Sequence, residues 1–153
     1  KPNPMPESVR DRCTKAHEYI FLLSKSAKYY FDADAIREGE QVYTQDTTTI
    51  GANKRSVWTV TTQPYKEAHF ATFPPKLIEP CVLAGCPAGG TVLDPFNGSG
   101  TTGMVALQHG RHYVGIELSR EYCAMAVKRM ERELSQPNLP GLEPEKAEQG
   151  TMY

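Results

Sequence analysis

The sequence predicts an α/β fold organised around a nucleotide-type βαβ unit, and three observations carry that reading. Thr91-Val92-Leu93 is a short β-branched and apolar run that stops at Asp94-Pro95, as a buried parallel strand does when a proline removes its ladder donor. Asn97-Gly98-Ser99-Gly100 is a glycine turn leading into a segment with Met104, Val105 and Leu107, closed by Gly110; this is the layout of a helix with a glycine stop. Tyr113-Val114-Gly115-Ile116 is a second β run, and it ends on an acid, Glu117. Strand, glycine turn, helix, strand and acid place a ligand at the carboxyl ends of the strands.

The flanking residues narrow the ligand. Gly98-Ser99-Gly100-Thr101-Thr102-Gly103 matches the dinucleotide pattern G-x-G-x-x-G, but that match alone is weak. Asp94 precedes the glycines, and a carboxylate there repels a pyrophosphate while suiting a cationic amine. No second βαβαβ half follows Glu117 to hold a nicotinamide. Asp94 for an ammonium, Phe96 for an adenine face, glycines for close backbone approach and Glu117 for ribose hydroxyls describe S-adenosylmethionine. The competing reading makes Asp94 and Glu117 solvated acids at strand ends. Thr101 or Thr102 is the expected helix cap.

Asp94-Pro95-Phe96-Asn97-Gly98-Ser99-Gly100-Thr101-Thr102 resembles the cofactor motif of the amino-methylating DNA methyltransferases, which modify cytosine N4 or adenine N6. His69-Phe70-Ala71-Thr72-Phe73-Pro74-Pro75-Lys76-Leu77 resembles the segment that those enzymes place just before it, at the methionine end of the cofactor. The order fits the later part of the β-type arrangement, in which a catalytic half precedes a recognition region and the cofactor half. The resemblance implies a Rossmann-like S-adenosylmethionine-dependent methyltransferase fold, present here as an incomplete, C-terminal portion. Residues 1–32 would then end the catalytic half, 33–68 form a short target-recognition region and 69–134 hold the cofactor, while 135–153, where Pro, Gly, Glu and Gln dominate, are expected to form a disordered tail on composition. The implied cofactor residues are Thr72, Phe73, Pro74, Asp94, Pro95, Phe96, Gly98, Ser99, Gly100, Thr101, Thr102 and Glu117.

The family's catalytic tetrapeptide is an Asp, Asn or Ser followed by Pro-Pro and an aromatic residue, and this chain lacks it. Thr62-Gln63-Pro64-Tyr65 misses the first acceptor and one proline, and Phe73-Pro74-Pro75-Lys76 has no aromatic residue after the prolines. The chain alone is therefore expected to transfer no methyl group. Lys1-Pro2-Asn3-Pro4-Met5-Pro6 and His17-Glu18-Tyr19 look more like members with a Ser-Pro-Pro-Tyr loop, which favours cytosine N4, with adenine N6 as the alternative. Double-stranded DNA is the implied partner, and a restriction endonuclease of the same system is a further candidate. The implied setting is the cytoplasm of a bacterium or archaeon, or a phage gene. The rival readings are a non-catalytic nucleotide- or DNA-binding fragment and an NAD oxidoreductase.

At 153 residues the chain is about one domain long, and it begins with Lys rather than Met, as expected of a piece of a longer product. Net charge is −1, which excludes a globally basic nucleic-acid binder. The charge is uneven: residues 1–76 carry 11 basic and 9 acidic side chains, residues 77–153 carry 6 and 9. DNA contacts are thus expected toward the front. Neither a membrane-spanning run nor a signal peptide is visible.

Three prolines in the first six residues forbid helix. Arg10, Arg12 and Lys15 follow in a polar loop that the resemblance places beside the target base; a solvated connection is the other reading. Tyr19-Ile20-Phe21-Leu22-Leu23 and Tyr29-Tyr30-Phe31 flank a Ser-Lys-Ser turn, which predicts a hairpin with its aromatic residues in the core; base stacking is the alternative role for the tyrosines. The Thr-rich segment after Asp32 contains Lys54 and Arg55, which either meet phosphates or are ordinary surface charge, and Val57–Val60, a possible short strand in which Trp58 is a packed anchor. Pro75 suits a helix start, and Pro80 is expected to distort its first turns. Ser119 can cap a last helix whose Tyr122, Met125, Ala126, Met130 and Leu134 pack on the sheet. Cys13, Cys81, Cys86 and Cys123 have the spacing of free thiols, and His109 and His112 lack the companions of a zinc site.

Overall fold

The computed structural model describes residues 1–2, 4, 6–39, 42–43, 48–49, 51–61 and 72–135. The Thr62–Tyr65 tetrapeptide, His69 to Ala71 and the tail from Gln136 lie outside the described residues. A 3-10 turn at Asp34–Ile36 and a two-residue antiparallel pair, β1 (Val42–Tyr43) with β2 (Thr48–Thr49), precede the main unit. That unit runs α1 (Pro75–Gly85), β3 (Thr91–Asp94), α2 (Thr101–Gln108), β4 (His112–Gly115) and α3 (Arg120–Leu134).

Strands β3 and β4 are parallel, in the register Thr91↔His112 to Asp94↔Gly115. Helix α2 makes the crossover that a parallel pair requires. Its end is a Schellman pair: the Gly110 amide donates to the Leu107 carbonyl at 3.0 Å and the Arg111 amide to the Ala106 carbonyl at 2.8 Å. Gly110 has φ +69°, so the expected glycine stop is present. Met104, Val105 and Ala106 are buried with Val82 of α1, and Ile78, Val92 and Tyr113 pack around them. The core thus lies on one face of the β3–β4 pair. On the other face the paired residues Leu93 and Val114 are exposed, as is Ile116.

Local helix signals hold. Pro75 is the first residue of α1, and the helix runs through Pro80 without a break, so the expected distortion does not end it. A proline there removes one ladder donor, and the rest of the helix keeps its bonds. The Ser119 hydroxyl accepts from the Tyr122 amide at 3.4 Å and caps α3. Met125 and Met130 are half-buried rather than fully in the core, and the Met130 sulfur packs where Gly103 leaves room for it.

The front of the chain differs from expectation. Residues 13–31 contain no strand, and the hairpin predicted from Tyr19–Leu23 and Tyr29–Phe31 does not form. The segment keeps the period-two contacts of extended chain, with His17–Tyr19 and Tyr19–Phe21 ring centroids 5.3 and 6.1 Å apart. What it lacks among the described residues is a ladder partner, and an extended run without one leaves both faces open. Its aromatic residues are consequently exposed and not in a core. The segment is tied to the main unit by the Asp32 amide, which donates to the Ala84 carbonyl at 2.9 Å. Val57–Val60 is likewise not a strand. There the Trp58 indole donates to the Arg55 carbonyl at 2.7 Å, a local turn that takes the place of sheet pairing, and the ring is half-buried.

Candidate functional site

The carboxyl ends of β3 and β4 lie side by side because of their register, and the turn after β3 folds across both. The Ile116 amide donates to the Asp94 carbonyl at 2.9 Å, and the Asn97 amide donates back to the Ile116 carbonyl at 3.0 Å. Gly100 then enters α2 with φ +79°, and a Cβ there would lie 2.8 Å from the Cβ of Ala126 in α3. A glycine both adopts this left-handed conformation and permits the close approach. Gly100 is therefore the N-cap, and neither Thr101 nor Thr102 caps the helix as expected. Thr101 is already helical, and the Thr102 hydroxyl turns instead to an Asp94 carboxylate oxygen at 2.7 Å.

Two carboxylates hold this turn. The other oxygen of Asp94 accepts from the Phe96 amide at 2.9 Å, an Asx-type turn that carries the chain past Pro95. Glu117 accepts from the Ser119 amide at 2.9 Å and from the Gly98 amide at 2.8 Å. These two backbone bonds, that of Ser119 first, hold its carboxyl below the usual carboxylate range. Each carboxylate offers about four lone-pair positions and spends two on the protein. Both keep acceptor capacity for a ligand's ammonium or hydroxyl groups. Phe96, 88% exposed at the tip of the turn, presents an uncovered aromatic face. These features fit an adenosyl amino acid.

Behind the turn, the Tyr113 hydroxyl donates to Oδ1 of the buried Asn97 at 2.6 Å. Burial, followed by the Asp94 charge, pushes the Tyr113 phenol well above its usual range, so it stays a neutral donor. The Arg129 guanidinium donates to the Ser99 carbonyl at 2.7 Å, the Ser99 hydroxyl at 2.9 Å and the Thr101 hydroxyl at 3.3 Å. The sequence reading missed Arg129 and the Asn97–Tyr113 pair. The available signal was an arginine at the spacing of Tyr122, Met125, Ala126 and Met130, the apolar stripe of α3.

Asp94, Gly98, Ser99, Gly100, Thr101, Thr102 and Glu117 are thus brought together, with Pro95 and Phe96 at the rim. Thr72 is half-buried, Phe73 is 40% exposed and Pro74 is buried just before α1. Phe73 shares a concavity of about 460 Å³ with Val82, Cys86, Leu93, Asp94 and Thr102. Phe73 and the end of β3 therefore face one space.

The basic residues lie on other segments. Arg10, Arg12 and Lys15 are exposed, and Arg12 donates to Glu7 at 2.7 Å. Lys54 and Arg55 converge on Glu38 at 3.5 and 2.8 Å, and the Lys54 ammonium lies 5.0 Å from the Trp58 ring centroid. The Arg55 bond is the main cause of the lowered Glu38 carboxyl. All four cysteines are free. His109 pairs with Glu79 at 2.9 Å, and among the described residues no group of three or more His, Cys, Asp or Glu side chains forms a metal-ligand cluster. None of the described helices is long and apolar enough to cross a membrane.

Residues 1–128 match the family of N6 and N4 DNA methylases. The Type II methyltransferase M.Cfr9I of Citrobacter freundii is 53% identical over 135 residues, covering 87% of this chain and 42% of the relative. M.SmaI of Serratia marcescens is 52% identical over 132 residues, covering 86% and 44%. The chain therefore spans less than half the length of these relatives. Among solved structures, the cytosine-N4-specific PvuII DNA methyltransferase aligns with a TM-score of 0.39 and 34% identity over 44% of this chain and 26% of its own. M1.HpyAVI in complex with S-adenosylmethionine aligns with a TM-score of 0.42 and 27% identity over 69% and 46%.

Proposed function

The chain belongs to the DNA methylase family, whose cofactor is S-adenosylmethionine, and on that premise we propose that residues 69–134 are the cofactor-holding part of a site-specific enzyme that methylates an exocyclic base amine in double-stranded DNA. The carrying observation is the pair of carboxylates, Asp94 and Glu117, fixed at the ends of adjacent parallel strands with acceptor positions still open. Asp94 receives the amino-acid ammonium, Glu117 the ribose hydroxyls and Phe96 the adenine face. Thr72, Phe73 and Pro74 line the methionine end across the concavity that Phe73 shares with Asp94. Pro95, Gly98, Ser99, Gly100, Thr101 and Thr102 shape the turn between them.

The bound cofactor supplies an activated sulfonium methyl. The residues of this chain fix where that methyl points, which is a positioning contribution to the rate. The target base leaves the duplex so that its amine can be reached. That amine is a poor nucleophile because its lone pair is delocalised into the ring, and the family's Pro-Pro-aromatic tetrapeptide is what draws the lone pair out. No such tetrapeptide occurs in this sequence, so the 153-residue chain alone transfers no methyl group and must work with a segment that carries one. Cytosine N4 is the favoured target, from the likeness of residues 1–6 and 17–19 to members with a Ser-Pro-Pro-Tyr loop. Arg10, Arg12, Lys15, Lys54 and Arg55 supply phosphate contacts, and a restriction endonuclease of the same system is a candidate companion.

Calorimetric titration tests the cofactor assignment. S-adenosylhomocysteine binds and NAD does not. Asp94→Ala and Glu117→Ala each weaken binding by about 1–3 kcal/mol, the scale of a lost charge-assisted hydrogen bond. Wild-type affinity in both folded variants refutes the assignment.

A further inference from the structure

Resting on the cofactor reading above, we propose that Arg129 of α3 is a positioning residue that locks the Ser99–Thr101 half of the cofactor turn. Besides Asp94, three of the described side chains anchor the turn. Glu117 holds Gly98 and Tyr113 holds Asn97, and both belong to the strand-end unit itself. The third comes from the far helix: one Arg129 nitrogen reaches the Ser99 carbonyl, the Ser99 hydroxyl and the Thr101 hydroxyl at 2.7, 2.9 and 3.3 Å. Those residues flank Gly100, one of the two turn glycines with a left-handed backbone. Ser99 and Thr101 are buried, so each needs an internal partner.

Electrostatics argues against a role in stabilising α2 alone. Arg129 places a cation at the N-terminus of α2, where the helix dipole disfavours positive charge. A residue selected only to stabilise α2 would be neutral or acidic. The position is explained by the three oxygen acceptors on either side of Gly100, where the turn joins α2, beside a weaker contact with the Met104 sulfur at 3.8 Å. Holding the turn in one conformation before the ligand arrives lowers the ordering cost of binding.

The test uses the purified protein with Arg129→Met, which keeps the side chain's length without donors, and Arg129→Lys, which offers a point charge in place of a planar fork. Arg129→Met raises the Kd for S-adenosylhomocysteine about tenfold or more, as loss of these bonds requires. Amide exchange accelerates at Ser99 and Thr101 while the amides of Val92, Leu93 and Val114 keep their wild-type protection. Arg129→Lys falls between, and it decides by the same two readouts if Arg129→Met unfolds. Wild-type affinity in the folded variants, or acceleration spread evenly over the strands, overturns the role. A wild-type protein that binds no S-adenosylhomocysteine overturns the cofactor reading itself, whereas binding by wild type and both variants alike overturns only the part assigned to Arg129.

Discussion

From Thr101 to Ala106 every residue is buried, whereas from Tyr19 to Leu23 none is, although the second stretch is the more apolar. Val105 is 1% exposed and Phe21 is 77% exposed. Composition does not separate them; hydrogen-bonded neighbours do. Between Thr91 and Gly115 the chain supplies two strands that pair with each other and a helix that lies on them, with α1 and α3 beside it. Backbone groups and one apolar face are satisfied together. Residues 19–23 are extended but pair with no strand among the described residues, so their side chains have no described layer to enter. Pairing alone is not enough, since Leu93 and Val114 pair across strands yet are exposed on a face that no layer among the described residues covers.

The sharpest way to break this contrast is to place the same charge in both stretches. Val105→Asp leaves an unpaired carboxylate in the core and lowers stability by about 3–5 kcal/mol. Leu23→Asp, at a position 87% exposed, changes it by no more than about 0.5 kcal/mol. Denaturant melts of the two variants check both, and a large loss in Leu23→Asp means that the front run is buried in the working protein.

Next in size is Gly100→Ala. Its φ of +79° and the 2.8 Å approach to Ala126 both oppose a Cβ, so a loss of about 1–3 kcal/mol is expected. The same melt reads it, and an unchanged midpoint means that the turn relaxes freely. A smaller effect concerns acid. The folded pKa of Glu117 lies below its unfolded value, so its contribution is complete above the ordinary glutamate pKa of about 4.3 and is lost as pH falls through the depressed value. Thermal melts should therefore hold level from neutral pH to about 4.3 and then decline, with a shallower decline in Glu117→Gln. An identical acid limb in the variant shows that other carboxylates set it.

The smallest effect sharpens the front region's side of the contrast. Neutralising Arg10, Arg12 and Lys15 should weaken DNA binding by the enzyme and flatten its salt dependence while cofactor affinity stays constant. An unaltered salt slope removes this loop from the phosphate contacts.

By itself the sequence determined what is local. Pro75 starting α1, Ser119 capping α3, Gly110 ending α2, and Asp94 and Glu117 at the ends of neighbouring strands all follow from caps, stops and periodicities spanning a few residues. The tertiary structure decided what depends on partners distant in sequence. Arg129 meets Ser99 across 30 positions and Tyr113 meets Asn97 across 16, separations at which no periodicity in the chain relates one residue to the other. It also decided that Gly100, and not a threonine, caps α2, because α3 presses Ala126 against the turn. The fate of Tyr19–Leu23 was of the same kind: a continuous apolar run suits an extended segment, but only a neighbouring strand can make it part of a sheet.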